Sequence, residues 1–170
     1  MPTLTNPSPT QTKHVTIERV FQAPRELLFK AWTDEQHLMN WYAPTGCEIS
    51  FRKLEIRPGG EIHSCIKTPG GHLCWCRGTY SEIKKPERIV YSMLISDEAG
   101  NLLGPDEAGM DANWPRETIV TVTFEEVGPQ TTKLTLRQTV DLELAKKTGA
   151  YPSWLNMLDR LEESLASSRT

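Results

Sequence analysis

The 170-residue sequence has no apolar run approaching the roughly 20 residues that cross a bilayer, so no membrane span is expected. It also lacks a charge of one sign. Its 19 Lys and Arg against 22 Asp and Glu leave a formal net charge of −3. A nucleic-acid partner needs a dense field of Lys and Arg, so none is expected. The opening MPTLTNPSPTQT has neither a basic start nor an apolar stretch, and it is not read as an export signal. Residues 1–12 are expected to form a disordered lead-in. The expected compartment is the reducing cytoplasm, where the four cysteines stay free thiols. No internal repeat is visible. What is there, 38% hydrophobic and 24% charged residues, suits one globular domain with a true core, placed at 13–168.

The pattern alternates from Lys13, with Val15, Ile17 and Phe21 on one face of a strand and Arg19 interrupting it. Pro24 opens a helix carrying Leu27, Leu28, Ala31 and Trp32. Thr33 and Gln36 are read as a capping box for a second short helix with Leu38, Met39, Trp41 and Tyr42. Ala43-Pro44-Thr45-Gly46 stops that helix. Strands and turns follow to about residue 142. In Cys47 to Arg57 the apolar positions change parity between Ile49/Phe51 and Leu54/Ile56, which predicts a bulge near Arg52–Lys53. Strands are expected at Glu61–Thr68, His72–Lys84, Ile89–Ser96, Glu117–Val127 and Thr131–Leu142. Between them, 97–115 (DEAGNLLGPDEAGMDANWP) is too long for a tight turn. It is either a solvated acidic insertion or a lid, with Leu102, Leu103, Met110 and Trp114 as the side chains able to cover a cavity mouth. Pro152 opens a final helix to about Ser167, with Trp154, Leu155, Leu158, Leu161 and Leu165 as its apolar stripe. The expected fold class is α+β: a curved antiparallel sheet of about seven strands gripping the long C-terminal helix.

The stretch CIKTPGGHLCWC, residues 65–76, holds three of the four cysteines and one histidine. Together they could supply four tetrahedral zinc ligands. Turn chemistry decides against it. Thr68-Pro69-Gly70-Gly71-His72 reads as a three-residue hairpin loop pairing Thr68 with His72. Ser64 then faces Cys76 and Ile66 faces Cys74. Side chains alternate, so Cys74 and Cys76 join Ile62, Ser64 and Ile66 on one face, and Cys65 turns away with His63, Trp75 and Arg77. A four-residue loop would instead gather Cys65, Cys74, His63, Cys76 and His72. In the favoured register no metal and no cofactor are expected.

The phrases ERVFQAPRELLFKAWTDEQHLMNWYAP, RPGG, GTYSEIKKPERIVYS, ETIVTVTFEEVG and WLNMLDRLEESL, in this order, resemble the bacterial branch of the SRPBCC (START-like, helix-grip) superfamily. Within it they are most similar to homologues of the heat shock protein 90 ATPase activator. The resemblance runs from about Thr16 to Ala166. It implies a cavity between sheet and helix that binds or processes a hydrophobic small molecule. It supplies no universal catalytic residue. The acidic loop and the cysteine-bearing hairpin depart from the usual pattern.

On that fold the inward side chains expected to touch a ligand are Trp41, Phe51, Ile62, Ser64, Ile66, Cys74, Cys76, Tyr80, Met93, Val120, Val122, Trp154 and Leu158, with Ser64 and Tyr80 as polar handles. The same side chains could equally pack solid. No catalytic residue is identified. His14, His37, His63 and His72 lack nucleophile spacing, and Glu82, Glu117, Glu125 and Glu126 lie near strand ends. Arg57 and Arg88 are read as members of structural ion pairs. Three functions stay open. First is binding of a hydrophobic or aromatic small molecule in the cavity. Second is an enzyme of cyclase, dehydratase or hydrolase type in the same cavity. Third is a chaperone ATPase cofactor, which the family name suggests. A homodimer is left open.

Overall fold

A computed structural model of the chain describes residues 13–168. The expected lead-in at 1–12 lies outside the described residues. The first strand, β1 (His14–Phe21), is followed by helices α1 (Arg25–Thr33) and α2 (Glu35–Trp41). Strands β2 (Glu48–Leu54), β3 (Glu61–Lys67), β4 (Leu73–Lys84), β5 (Arg88–Ser96), β6 (Glu117–Gly128) and β7 (Thr131–Asp141) come next. Two helices end the described chain, α3 (Leu142–Thr148) and α4 (Ala150–Ser168). All strands pair antiparallel in one open, curved sheet of order β1-β7-β6-β5-β4-β3-β2.

Strand β1 buries Val15, Ile17 and Phe21 as its alternation requires. The interrupting Arg19 reaches α4, where it pairs with Asp159 and lies 3.6 Å from Glu162. The bulge in β2 falls where parity placed it, at Arg52: Phe51 opposes Ser64, and the next pair is Lys53 with His63. A second bulge, not expected from the sequence, lies between Tyr80 and Glu82 of β4. Nearby, a Cβ at Gly78 would sit 1.8 Å from the Ser92 carbonyl oxygen, so only glycine lets β5 approach there. The hairpin after β3 closes by Thr68 N–H donating to the His72 carbonyl at 2.9 Å, with Gly71 left-handed at φ +89°. Arg57 and Arg88 do form ion pairs, with Glu55 at 3.2 Å and Glu82 at 3.3 Å.

Three local expectations are corrected. The capping box at Thr33 and Gln36 does not form. Asp34 caps α2, accepting from the N–H groups of Gln36 and His37, and Thr33 Oγ1 bonds back to the Phe29 carbonyl. A carboxylate one residue later is the better acceptor for the orphan amides. The strand expected to run to Leu142 instead ends at Asp141, which caps α3 through Leu144 N–H at 2.9 Å. The final helix begins at Ala150 rather than Pro152, immediately after Gly149 ends α3 at φ +90°. Pro152 sits in the first turn, where its missing N–H has no intrahelical partner to lose. At nineteen residues α4 is about 28 Å long.

Helix α1 packs on β6 and β7, and α2 lies between α4 and β2. The core joins these elements: Leu28, Phe29 and Trp32 of α1, Val120, Val122 and Phe124 of β6, Leu134 and Leu136 of β7, and Leu158, Leu161 and Leu165 of α4 are all buried. The polar face of α4 fixes the loop that ends α2. Asn156 Oδ1 accepts from Thr45 N–H at 2.6 Å, and Arg160 donates to the Ala43 carbonyl.

Candidate functional site

A cavity of about 260 Å³ lies between the sheet and the helices, mainly under β2 to β5, and meets β6 and β7 only at Thr118 and Gln138. Its position follows from side-chain size. Beneath β6 and β7 the inward positions carry Val, Leu and Phe, which meet the leucines of α1 and α4. Beneath β3 and β4 they carry Ser64, Cys74 and Cys76, which leave space.

The register of β3 with β4 matches the three-residue loop: Ser64 opposes Cys76, Cys65 opposes Trp75, and Ile66 opposes Cys74. Of the thirteen side chains expected at a ligand site, Phe51, Ile62, Ser64, Ile66, Cys74, Cys76, Tyr80 and Met93 line the cavity. Trp41, Val120, Val122, Trp154 and Leu158 do not; they are buried in the filled part of the core. Trp41 is held there by its indole N–H, which donates to the Ala31 carbonyl at 3.0 Å. Trp154 donates to Gln138 Oε1 at 2.8 Å, and Gln138 Nε2 donates to Thr118 Oγ1 at 3.0 Å. That buried polar chain closes the floor of the cavity, where Gln138 and Thr118 form part of the wall.

The feature that sequence reasoning missed is a pair of phenols. Tyr42, just after α2, and Tyr91 of β5 both line the cavity, and their hydroxyl oxygens are 2.6 Å apart. Tyr80 opposes Tyr91 across the strands, with ring centroids 5.9 Å apart. Burial raises all three phenols above the ordinary tyrosine value. They therefore act as neutral hydrogen-bond donors and acceptors, not as bases. Burial also pushes the Cys76 thiol up to about 12 and raises Cys74 and Cys65. Solvent reaches Cys76 through the cavity, yet the apolar wall around the sulfur still disfavours its thiolate. These are poor nucleophiles at neutral pH. Among the described residues, no carboxylate and no imidazole lines the cavity.

The outer face holds what the alternation sent there. His63 stacks obliquely on Trp75 with centroids 5.1 Å apart, and Arg52 lies over the same indole. The first turn of the 97–115 loop docks onto this face: Arg77 donates to the Gly100 carbonyl at 2.8 Å, and Arg52 pairs with Glu98. Asn101 donates to the Asp97 carboxylate and holds it below its ordinary range. The rest of the loop crosses to the cavity, where Met110 and Trp114 join the wall. Lys147 of α3 reaches Asp111 at 3.5 Å and ties the loop to that helix. Leu102, by contrast, points to solvent at 55% exposure.

Among the described residues, no helix is long and apolar enough to cross a membrane. No curated protein matches the chain. Solved structures do share its fold. A protein of Arthrobacter aurescens, solved by NMR, superposes with a TM-score of 0.76 at 18% identity, covering 89% of this chain and 85% of its own. A protein of Staphylococcus epidermidis gives 0.75 at 21% identity, covering 94% and 93%. The AHSA1 protein of Silicibacter pomeroyi gives 0.73 at 20% identity, covering 92% and 99%. Residues 22–166 match the family model described as Activator of Hsp90 ATPase homolog 1-like protein. The match takes in α1, α2 and α3, six of the seven strands and nearly all of α4, so the chain belongs to the Activator of Hsp90 ATPase homolog 1-like family.

Proposed function

We propose that the protein binds a small hydrophobic molecule in the cavity under β2 to β5. One observation carries the reading: an apolar cavity of about 260 Å³ survives inside an otherwise filled core. Pockets for drug-sized ligands run from roughly 300 to 1,000 Å³, so the occupant is smaller than those. In this reading Phe51, Ile62, Ile66 and Met93 supply apolar contact, and Cys74 and Cys76 make room. Ser64 and Tyr80 present hydroxyls that bond to no other described side chain. The 97–115 loop is the lid, with Met110 and Trp114 as its inner surface. Free thiols at Cys47, Cys65, Cys74 and Cys76 are in keeping with a cytoplasmic location. Titration with a panel of small aromatics, followed by backbone amide shifts, tests the reading. Shift changes are expected at Ser64, Cys76 and Tyr80; their absence for every compound would remove it.

An enzyme in this cavity would need a proton acceptor near neutral pH. Among the described residues the wall's polar groups are phenols, hydroxyls, thiols, the Gln138 amide and the Arg77 guanidinium, and burial keeps the phenols and the Cys76 thiol protonated, so binding without turnover is the better supported reading. A role as a chaperone ATPase cofactor rests on the family description alone. Addition of the protein to an Hsp90 ATPase assay tests that role, with a rise in turnover as the supporting result.

A further inference from the structure

The wall of the cavity is apolar apart from a small set of hydroxyls, and the arrangement of those hydroxyls bears on what can bind. Tyr42 and Tyr91 share one hydrogen bond of 2.6 Å. Whichever oxygen donates, the other hydroxyl keeps a free hydrogen, and the pair keeps free lone pairs. Tyr80, whose own hydroxyl bonds to no other described side chain, stands beside Tyr91. Gln138 is tied into the wall: its oxygen accepts from Trp154, and its nitrogen donates to Thr118 and reaches Met93 Sδ at 3.8 Å, so it has no free N–H to present.

Equally decisive is the absence of a charge to pair with an anion. Among the described residues, no lysine or histidine lines the cavity. Arg77 contributes to its wall, but the guanidinium lies on the outer face, bonded to the Gly100 carbonyl at 2.8 Å and 4.0 Å from the Glu61 carboxylate. A buried anion without a partner cation carries a heavy desolvation cost. A neutral oxygen that meets a phenol hydroxyl in the same place recovers a hydrogen bond in a medium where such bonds are strong.

We infer that the cavity selects an uncharged ring compound bearing one hydroxyl or carbonyl oxygen, seated against the Tyr42–Tyr91 hydroxyl pair, and rejects the carboxylate of the same skeleton. This rests on the reading of the cavity as a ligand site. The selectivity is a separate claim, because a cavity of this size with a purely apolar wall would prefer the bare hydrocarbon.

Three probes separate the possibilities when titrated calorimetrically into the full chain near pH 7: naphthalene, 2-naphthol and 2-naphthoate. The expected order places 2-naphthol about fivefold tighter than naphthalene. It places 2-naphthoate about a hundredfold weaker than 2-naphthol. Either single variant leaves one phenol hydroxyl at the same place, so the test is the double variant Tyr42→Phe/Tyr91→Phe. In it the order of 2-naphthol and naphthalene inverts, since a buried hydroxyl without its partner loses its hydration for nothing. An unchanged order there would overturn the seat against the pair. Should the double variant fail to fold, the ranking by the unaltered protein decides alone. Naphthalene binding as tightly as 2-naphthol, or 2-naphthoate binding as tightly as 2-naphthol, would overturn the selectivity and leave cavity binding standing. Failure of all three to bind or to shift any cavity amide would overturn both.

Discussion

One side of the sheet's concave face is filled and the other is hollow: α4 packs on the filled side, while the hollow side is faced by Trp32, Leu38 and Tyr42 from α1, α2 and the end of α2. Under β1, β6 and β7 the inward residues are Val15, Ile17, Val120, Val122, Leu134 and Leu136, and they meet Leu158 and Leu161 with no space between. Under β3 and β4 the small inward residues Ser64, Cys74 and Cys76 interrupt Ile62, Ile66 and Tyr80, and no described residue of α4 reaches the space. Filled and hollow therefore differ by side-chain volume more than by backbone geometry. The filled half supplies the stability that lets the other half stay open.

Core truncation should show that contrast most strongly. Leu158→Ala is expected to cost about 2–5 kcal/mol in denaturant unfolding, because the surrounding side chains cannot collapse into the space. Ile66→Ala, on the cavity wall, should cost about 1 kcal/mol or less, since it enlarges a space already present. Equal costs would mean that the cavity wall is as tightly packed as the core. Next in size is the polar chain at the boundary between the halves. Gln138→Ala strands the Trp154 indole N–H and the Thr118 hydroxyl, at an expected cost of about 2–3 kcal/mol. Ser64→Ala removes a hydroxyl with no partner among the described side chains and should change stability by about 0.5 kcal/mol at most.

Alkaline pH should act through the hollow half. Cys76, Tyr42, Tyr80 and Tyr91 all hold their protons more tightly in the folded chain than an unfolded chain does. The stability this represents is complete below the unfolded values, about 8.5 for a thiol and 10 for a phenol. It is lost as pH rises through them, for Cys76 up to about 12. A fall of a few kcal/mol between pH 8 and pH 11 is expected. Cys76→Ala should delay its onset toward the phenol range. A flat profile through pH 11 would show that the cavity wall is as well solvated as the surface. The smallest effects belong to surface charges on either side. Arg19→Ala, which loses Asp159 and Glu162, and Arg52→Ala, which loses Glu98, should each cost about 0.2–1 kcal/mol. A larger loss from Arg19 alone would mean that the grip of α4 on the filled half depends on charge and not on packing.

Some of this was legible in the residue order. The alternation of Val15, Ile17 and Phe21, the parity change in β2 and the Pro-Gly-Gly loop after Thr68 are local signals, and each has the outcome its chemistry requires. Helix α3 was hidden because Leu142 continues the alternation of β7, and only the Asp141 cap marks the change. The bulge at Ser81 does shift the apolar parity, from Tyr80 to Ile83, but a single apolar residue beyond it is too short a run to mark the change. At the site, alternation alone sufficed for Ser64, Cys74, Cys76 and Tyr80, which share one face of one hairpin. It could not separate them from Val120, Val122 and Leu158, because inward-facing is a property of a strand or helix, while lining a void depends on what stands opposite.

The sequence by itself determined the strands, their faces, the hairpin register and the sidedness of the thiols, because turn chemistry and period-2 alternation act within a dozen residues. Only the tertiary structure decided where the space lies and which hydroxyls meet in it. Tyr42 and Tyr91 are forty-nine positions apart, on a helix end and a strand, and no local pattern relates them. Their 2.6 Å contact exists because the sheet curls over α2, and that depends on all of the packing at once.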